Sequence, residues 1–129
     1  MSLPIQIFFS LFFSVYASGA RIINGKPAES TKFKEVVKIT VPGGFCSATL
    51  IGPKVIATAA HCAPNGSTVK FSLEGHEYTA KLQRSSLFPQ KEHNIALGLV
   101  NQVVSGIEPA SIGGKASVGL GITLFGYGC

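Results

Sequence analysis

Turn signals divide this chain into short segments from residue 33 onward, which leaves little room for a helix of ordinary length. Pro-Gly-Gly, Gly-Pro and Asn-Gly sequences separate runs that are apolar or rich in β-branched residues, and no run keeps a helical period for more than a turn or two. Strands that recur about every eight to twelve residues are typical of an all-β barrel or sandwich. The predicted strands cover residues 33–41, 46–51, 54–59, 68–73, 77–83, 94–100 and 118–127, with a hairpin across Glu74-Gly75-His76 and with residues 94–100 buried.

The composition fits one small globular domain with a basic surface. The 129 residues are 46% hydrophobic, and eleven lysines and arginines against six acidic residues give a net charge of +5. The basic residues are dispersed along the sequence, whereas nucleic-acid binding favours clustered basic residues interleaved with aromatic ones. We therefore expect no nucleic-acid partner. All the acidic residues are glutamates, so a mechanism that needs an aspartate must obtain it from another chain.

The first twenty residues predict a signal peptide for export. Residues 5–15 are apolar apart from three polar side chains, and the small residues that follow are typical of cleavage after Ala17 or Ala20. The alternative is a membrane-spanning helix, but about twelve residues fall short of the roughly twenty that cross a bilayer. We therefore assign residues 1–20 to a leader and expect no stable membrane anchor after its cleavage. A secreted or periplasmic chain can also form disulfides.

The sequence Thr-Ala-Ala-His-Cys at residues 58–62 follows an apolar run and places His61 beside Cys62, and Cys46 opens a run of small residues upstream. Histidine can transfer protons near neutral pH. Together these motifs resemble the chymotrypsin family of trypsin-like serine proteases, in which this histidine is the general base. Two free buried cysteines are an alternative. A zinc site is another, although it lacks a second closely spaced cysteine pair, and we expect neither a metal nor a cofactor.

The resemblance implies a fold and a processing route. The family has two six-stranded antiparallel β-barrels with the catalytic site between them. Residues 21–129 are expected to supply the first barrel and the opening strand of the second, as a truncated peptidase domain. Activation in the family cuts after a basic residue, and that position corresponds to Arg21 followed by Ile22. The family also pairs the cysteines at the positions of Cys46 and Cys62, which would stabilise the fold by about 3 kcal/mol.

The same resemblance implies that two of the family's catalytic residues are missing. The family's Asp-Ile-Ala-Leu, whose aspartate orients the histidine, reads Asn-Ile-Ala-Leu here from Asn94. Either the aspartate was replaced or one residue was lost after the asparagine, and Glu92 is not expected to substitute. Residues 126–129, Gly-Tyr-Gly-Cys, resemble a strand early in the family's second half. No Gly-Asp-Ser-Gly-Gly occurs, so no serine has the context of a nucleophile, and Cys129 is expected to be unpaired.

Two functional hypotheses follow. By family the chain is a serine endopeptidase acting on polypeptides, here in a truncated and inactive form. The alternative is a non-catalytic homologue that binds a protein partner through its exposed inter-barrel face. His76 and His93 are expected to be structural or surface residues. Finally, Asn65-Gly66-Ser67 is a glycosylation sequon, meaningful only in a eukaryotic secretory pathway, and its first two residues predict a tight turn.

Overall fold

The structure, a computed structural model, describes residues 24–127, and within them six antiparallel strands close into a barrel. The order around the barrel is β1-β2-β3-β6-β5-β4. The all-β prediction is confirmed. The leader with its Ala17 and Ala20 sites, Arg21, Ile22 and Cys129 lie outside the described residues. The strands are β1 Val36–Val41, β2 Gly44–Gly52, β3 Val55–Thr58, β4 Thr68–Leu73, β5 His76–Arg84 and β6 Ala96–Val100.

Alternation of apolar and polar residues decides which side of each strand faces the core. In β4, Val69, Phe71 and Leu73 point inward while the residues between them are exposed, as expected for a period of two. Burying one such large side chain stabilises the fold by about 1.5–3 kcal/mol. The largest side chains that are almost wholly buried are Ile39, Leu50, Ile56, Leu82, Val69 and Val100.

The predicted hairpin between β4 and β5 is confirmed, with a two-residue loop. Leu73 pairs with His76, so His76 belongs to the strand and only Glu74 and Gly75 turn the chain. Both loop residues have positive φ, 49° and 79°. That backbone matches the twist of the strands, and glycine adopts it without steric cost.

The prediction that residues 94–100 are buried is only half correct. In β6, Ala96 and Val100 face the core, whereas Leu97 and Leu99 are 47% and 63% exposed. The reason is that β6 closes the barrel between β3 and β5, so alternate side chains must point outward. Gly98 also faces inward, and a Cβ there would lie 2.6 Å from Cγ1 of Ile56.

Beyond β6 the chain first follows the barrel and then leaves it. The backbone N–H of Val104 donates to Pro53, and that of Ala110 donates to Leu50. Residues 118–127, expected to open a second barrel, form no strand, because no ladder partner for them lies within residues 24–127. In this part of the chain no helix is long and apolar enough to cross a membrane.

Candidate active site

A disulfide anchors the turn that carries His61. The turn is a short 3₁₀ segment, Ala60–Cys62, directly after β3. Cys62 is bonded to Cys46 on β2, sixteen residues earlier, with 6.2 Å between their Cα atoms. The pairing implied by the family resemblance is therefore confirmed, and the alternatives of two free cysteines and a Cys/His zinc site are wrong for this pair.

A buried threonine adds a second anchor. The hydroxyl of Thr58, the last residue of β3, donates to the carbonyl oxygen of Ser47 on β2 at 2.8 Å. The hydroxyl oxygen of Thr58 also lies 3.8 Å from Sγ of Cys62. The end of β3 is thus attached to β2 just before the chain turns, which fixes where the turn begins.

Asn94 contacts the histidine at two points. Its side-chain Oδ1 accepts the backbone N–H of His61 at 3.0 Å. Around the ring nitrogen Nδ1 of His61, Nδ2 of Asn94 lies at 2.8 Å and Oδ1 at 3.2 Å. Asn94 ends the 3₁₀ turn Lys91–His93, which precedes β6. Two residues 33 positions apart are therefore joined where both are exposed to solvent.

The backbone contact decides the orientation of the Asn94 amide. A backbone N–H can only donate, so the atom facing it must be the oxygen. The amide nitrogen is then the closer group to Nδ1 of His61, at 2.8 Å. Of the two neutral forms of the ring, the geometry favours the one in which Nδ1 accepts this hydrogen bond and Nε2 carries the hydrogen. In the serine-protease mechanism Nε2 takes the serine proton, which a ring with its hydrogen already on Nε2 could not do.

The structure brings together only part of the predicted site. Within residues 24–127 no carboxylate, that of Glu92 included, makes a hydrogen bond or an ion pair with His61. Ser47 uses its hydroxyl oxygen to accept the backbone N–H of Tyr127 at 2.7 Å. In the same range no group of three or more histidine, cysteine or acidic side chains could hold a metal.

A cavity of about 720 Å³ lies away from the histidine. It is bounded by residues 25–37, the β4–β5 turn and residues 124–127. The rings of Phe33 and Phe125 pack beside it with centroids 4.6 Å apart. None of its lining residues belongs to the His61–Asn94 pair, so it has no part in the predicted chemistry.

Two hydrogen bonds at this site were not predicted from the sequence. Thr58 belongs to the motif that identified the histidine, but nothing in the sequence showed that its hydroxyl reaches Ser47. Similarly, Asn94 was expected to face the ring of His61, while its contact with the backbone of the same residue was not expected. Both are hydrogen bonds between residues that are distant in the sequence, and both depend on how the folded chain brings those residues together.

A six-stranded barrel fits the first barrel of a trypsin-like protein when a disulfide joins the residue after its histidine to the neighbouring strand and Asn94 lies against Nδ1 of that histidine. The family model described as Trypsin matches residues 22–129. The chain belongs to the trypsin family.

Solved structures show the same fold. One of HBP at atomic resolution is 22% identical with a TM-score of 0.53, and one of human heparin binding protein is 20% identical with the same TM-score. Each match covers 70% of this chain. The chain spans about half of each matched structure, 47% of its length. Among curated protein sequences no significant match is found.

Proposed function

We propose that this chain derives from a trypsin-like serine endopeptidase and that its 129 residues by themselves are catalytically inactive. The family reaction transfers a peptide acyl group to a serine and then to water. The single observation that carries the proposal is the contact between His61 and Asn94, in which a neutral amide lies where the family has a carboxylate. The absence of a Gly-Asp-Ser-Gly-Gly sequence in the 129 residues supports it.

The physical reason lies in the charge and hydrogen bonding of the ring. A general base must first accept the serine proton at Nε2 and then exist as an imidazolium. A carboxylate accepts from Nδ1–H, leaves Nε2 free and stabilises the positive charge. The Asn94 amide instead donates to Nδ1 and carries no charge. His61 is therefore a hydrogen-bond donor toward any group that approaches Nε2.

Nitrogen NMR of the His61 ring tests this arrangement in the folded chain. In ¹⁵N-labelled protein at a pH where the ring is neutral, we expect the Nε2–H form in the wild type. The Asn94→Asp variant should convert it to the Nδ1–H form, because the new carboxylate can only accept. His76, an exposed residue of β5, provides an internal control that should not change. An Nδ1–H ring in the wild type would contradict the assignment.

Activity should return only when both missing groups are supplied. The isolated chain is expected to hydrolyse no peptide ester or amide above the level of its His61→Ala variant. A chimaera that joins residues 22–127 to the second barrel of an active trypsin should be slow, and Asn94→Asp within it should raise kcat by about 10⁴-fold. Asn101→Asp, an acidic change away from the histidine, serves as the matched control. Equal kcat for the Asn94 and Asn94→Asp chimaeras would overturn the proposed role.

A second candidate is a non-catalytic homologue that binds a protein partner. The exposed apolar side chains of residues 118–124 favour it, since Val118, Ile122 and Leu124 are all more than 70% exposed and such patches are typical of interaction sites. Human heparin binding protein is a relative in fold that is named for binding. The nucleotide sequence beyond codon 129 separates the candidates. A downstream Gly-Asp-Ser-Gly-Gly favours an interrupted protease, and its absence favours the binding protein.

Export and processing complete the proposal. The disulfide between Cys46 and Cys62 supports a secreted or periplasmic location. We assign Arg21 and Ile22 to the activation cleavage, by analogy with the family. Cys129 is the third cysteine and is proposed to be unpaired within this chain.

A further inference from the structure

The turn after the histidine segment contains the chain's single Asn-x-Ser/Thr sequence, at Asn65-Gly66-Ser67. The N–H of Ser67 donates to the carbonyl oxygen of Pro64 at 3.1 Å, and Gly66 has a φ of 80°. A positive φ at the third position of a four-residue turn is typical of a type II turn, in which glycine is strongly favoured. Asn65 therefore occupies the second turn position, where its side chain is exposed.

The two ends of the Asn65 amide have different surroundings. Its Oδ1 accepts the backbone N–H of Arg84 at 2.9 Å, at the end of β5. Because a backbone N–H must face the oxygen, the orientation of the amide is determined. Its Nδ2 makes no hydrogen bond within residues 24–127. The atom that folding uses and the atom that a glycan would use are therefore different.

From this geometry we infer that Asn65 is an N-glycosylation site in the exported protein. Glycosylation joins Nδ2 of Asn65 to the anomeric carbon of a sugar. The bond between that carbon and the diphosphate of a lipid-linked oligosaccharide breaks, and the amide loses one proton. The carbonyl oxygen remains an acceptor in the product, so its contact with Arg84 survives. The glycan would lie three residues beyond Cys62, on the loop that the disulfide holds. This inference rests on the proposed export, not on the proposed lack of activity.

Translation of the whole chain with microsomes from the eukaryotic secretory pathway tests the inference. We expect one glycan, seen as a gel-mobility shift that peptide N-glycosidase removes. Asn65→Asp and Ser67→Ala should abolish the shift completely. Asn65→Asp also preserves the acceptor for Arg84, so its unchanged thermal midpoint would exclude a folding failure. Ser105→Ala, a serine change outside the sequon, should leave the shift intact.

A second chain with an unrelated cleavable leader in place of residues 1–20 separates export from modification. Absence of the glycan in this chain, or a shift that persists in Asn65→Asp, would overturn the inference. Glycosylation with the unrelated leader but not with the native one would refute export, and with it the modification of the natural protein. The hydrolysis and ¹⁵N measurements on His61 would be unaffected by either result.

Discussion

The barrel and the segment after it both contain many apolar residues, but they differ in how far those side chains are buried. The strands between residues 36 and 100 place alternate apolar side chains inside a closed sheet, whereas residues 111–124 are exposed throughout. The barrel strands have strand partners on both sides, and the later segment has no strand partner within the described chain. Most of the buried apolar residues therefore lie in paired strands, and Ala60, Ala63 and Val104 are buried outside them.

The same difference in burial occurs between the two faces of strand β6. Its inward residues Ala96 and Val100 are almost wholly buried, and the outward Leu97 and Leu99 are about half exposed. Burial here follows the direction of the side chain and not its hydrophobicity. Leu97 and Leu99 thus resemble the later segment in their surroundings, although they lie in the middle of a paired strand.

The disulfide should have the largest effect on the barrel. Replacing both Cys46 and Cys62 by alanine removes a cross-link over sixteen residues, and we expect a loss of about 3 kcal/mol in the free energy of unfolding. Urea titration followed by far-ultraviolet circular dichroism measures it. Cys129→Ala, which removes a cysteine outside the bond, should leave the midpoint unchanged. Equal midpoints for the double variant and the wild type would show that strand pairing alone sustains the barrel.

Two glycines, one in each region, allow the packing of the two regions to be compared directly. A Cβ at Gly98 would overlap Ile56 at 2.6 Å and touch Leu82 at 3.0 Å, whereas a Cβ at Gly113 would meet nothing within 4 Å. Gly98→Ala should therefore destabilise the fold by about 1–3 kcal/mol through overpacking. Gly113→Ala should change stability by less than about 0.5 kcal/mol. Thermal unfolding of both variants provides the measurement, and a similar loss in both would refute the difference in packing.

Much of this organisation could be predicted from the sequence. Turn residues and alternation located the strands, and the motif around His61 identified the histidine and its disulfide partner. The orientation of the Asn94 amide could not be predicted, since it depends on a backbone N–H 33 positions away. Likewise, the inward direction of Gly98 depends on β6 pairing with both β3 and β5.

The substitution with the smallest expected effect concerns the last described residues, which make a hydrogen bond to the barrel at one position. Ser47 on β2 accepts the backbone N–H of Tyr127 at 2.7 Å, and a Cβ at Gly126 would lie 3.0 Å from the same hydroxyl oxygen. Ser47→Ala removes one hydrogen bond, worth about 0.5–1.5 kcal/mol. Amide exchange of Tyr127 should accelerate by about two- to tenfold, because only the local opening becomes easier.

The barrel itself should be insensitive to that change, since the backbone oxygen of Ser47, which Thr58 contacts, remains in place. The exchange rates of the core amides in β2 and the thermal midpoint should match the wild type. Ser72→Ala, an exposed serine on β4, is the matched control and should alter neither region. Core amides that exchange faster in Ser47→Ala would mean that residues 124–127 stabilise the barrel. The two regions would then form one cooperative unit, despite their difference in strand pairing.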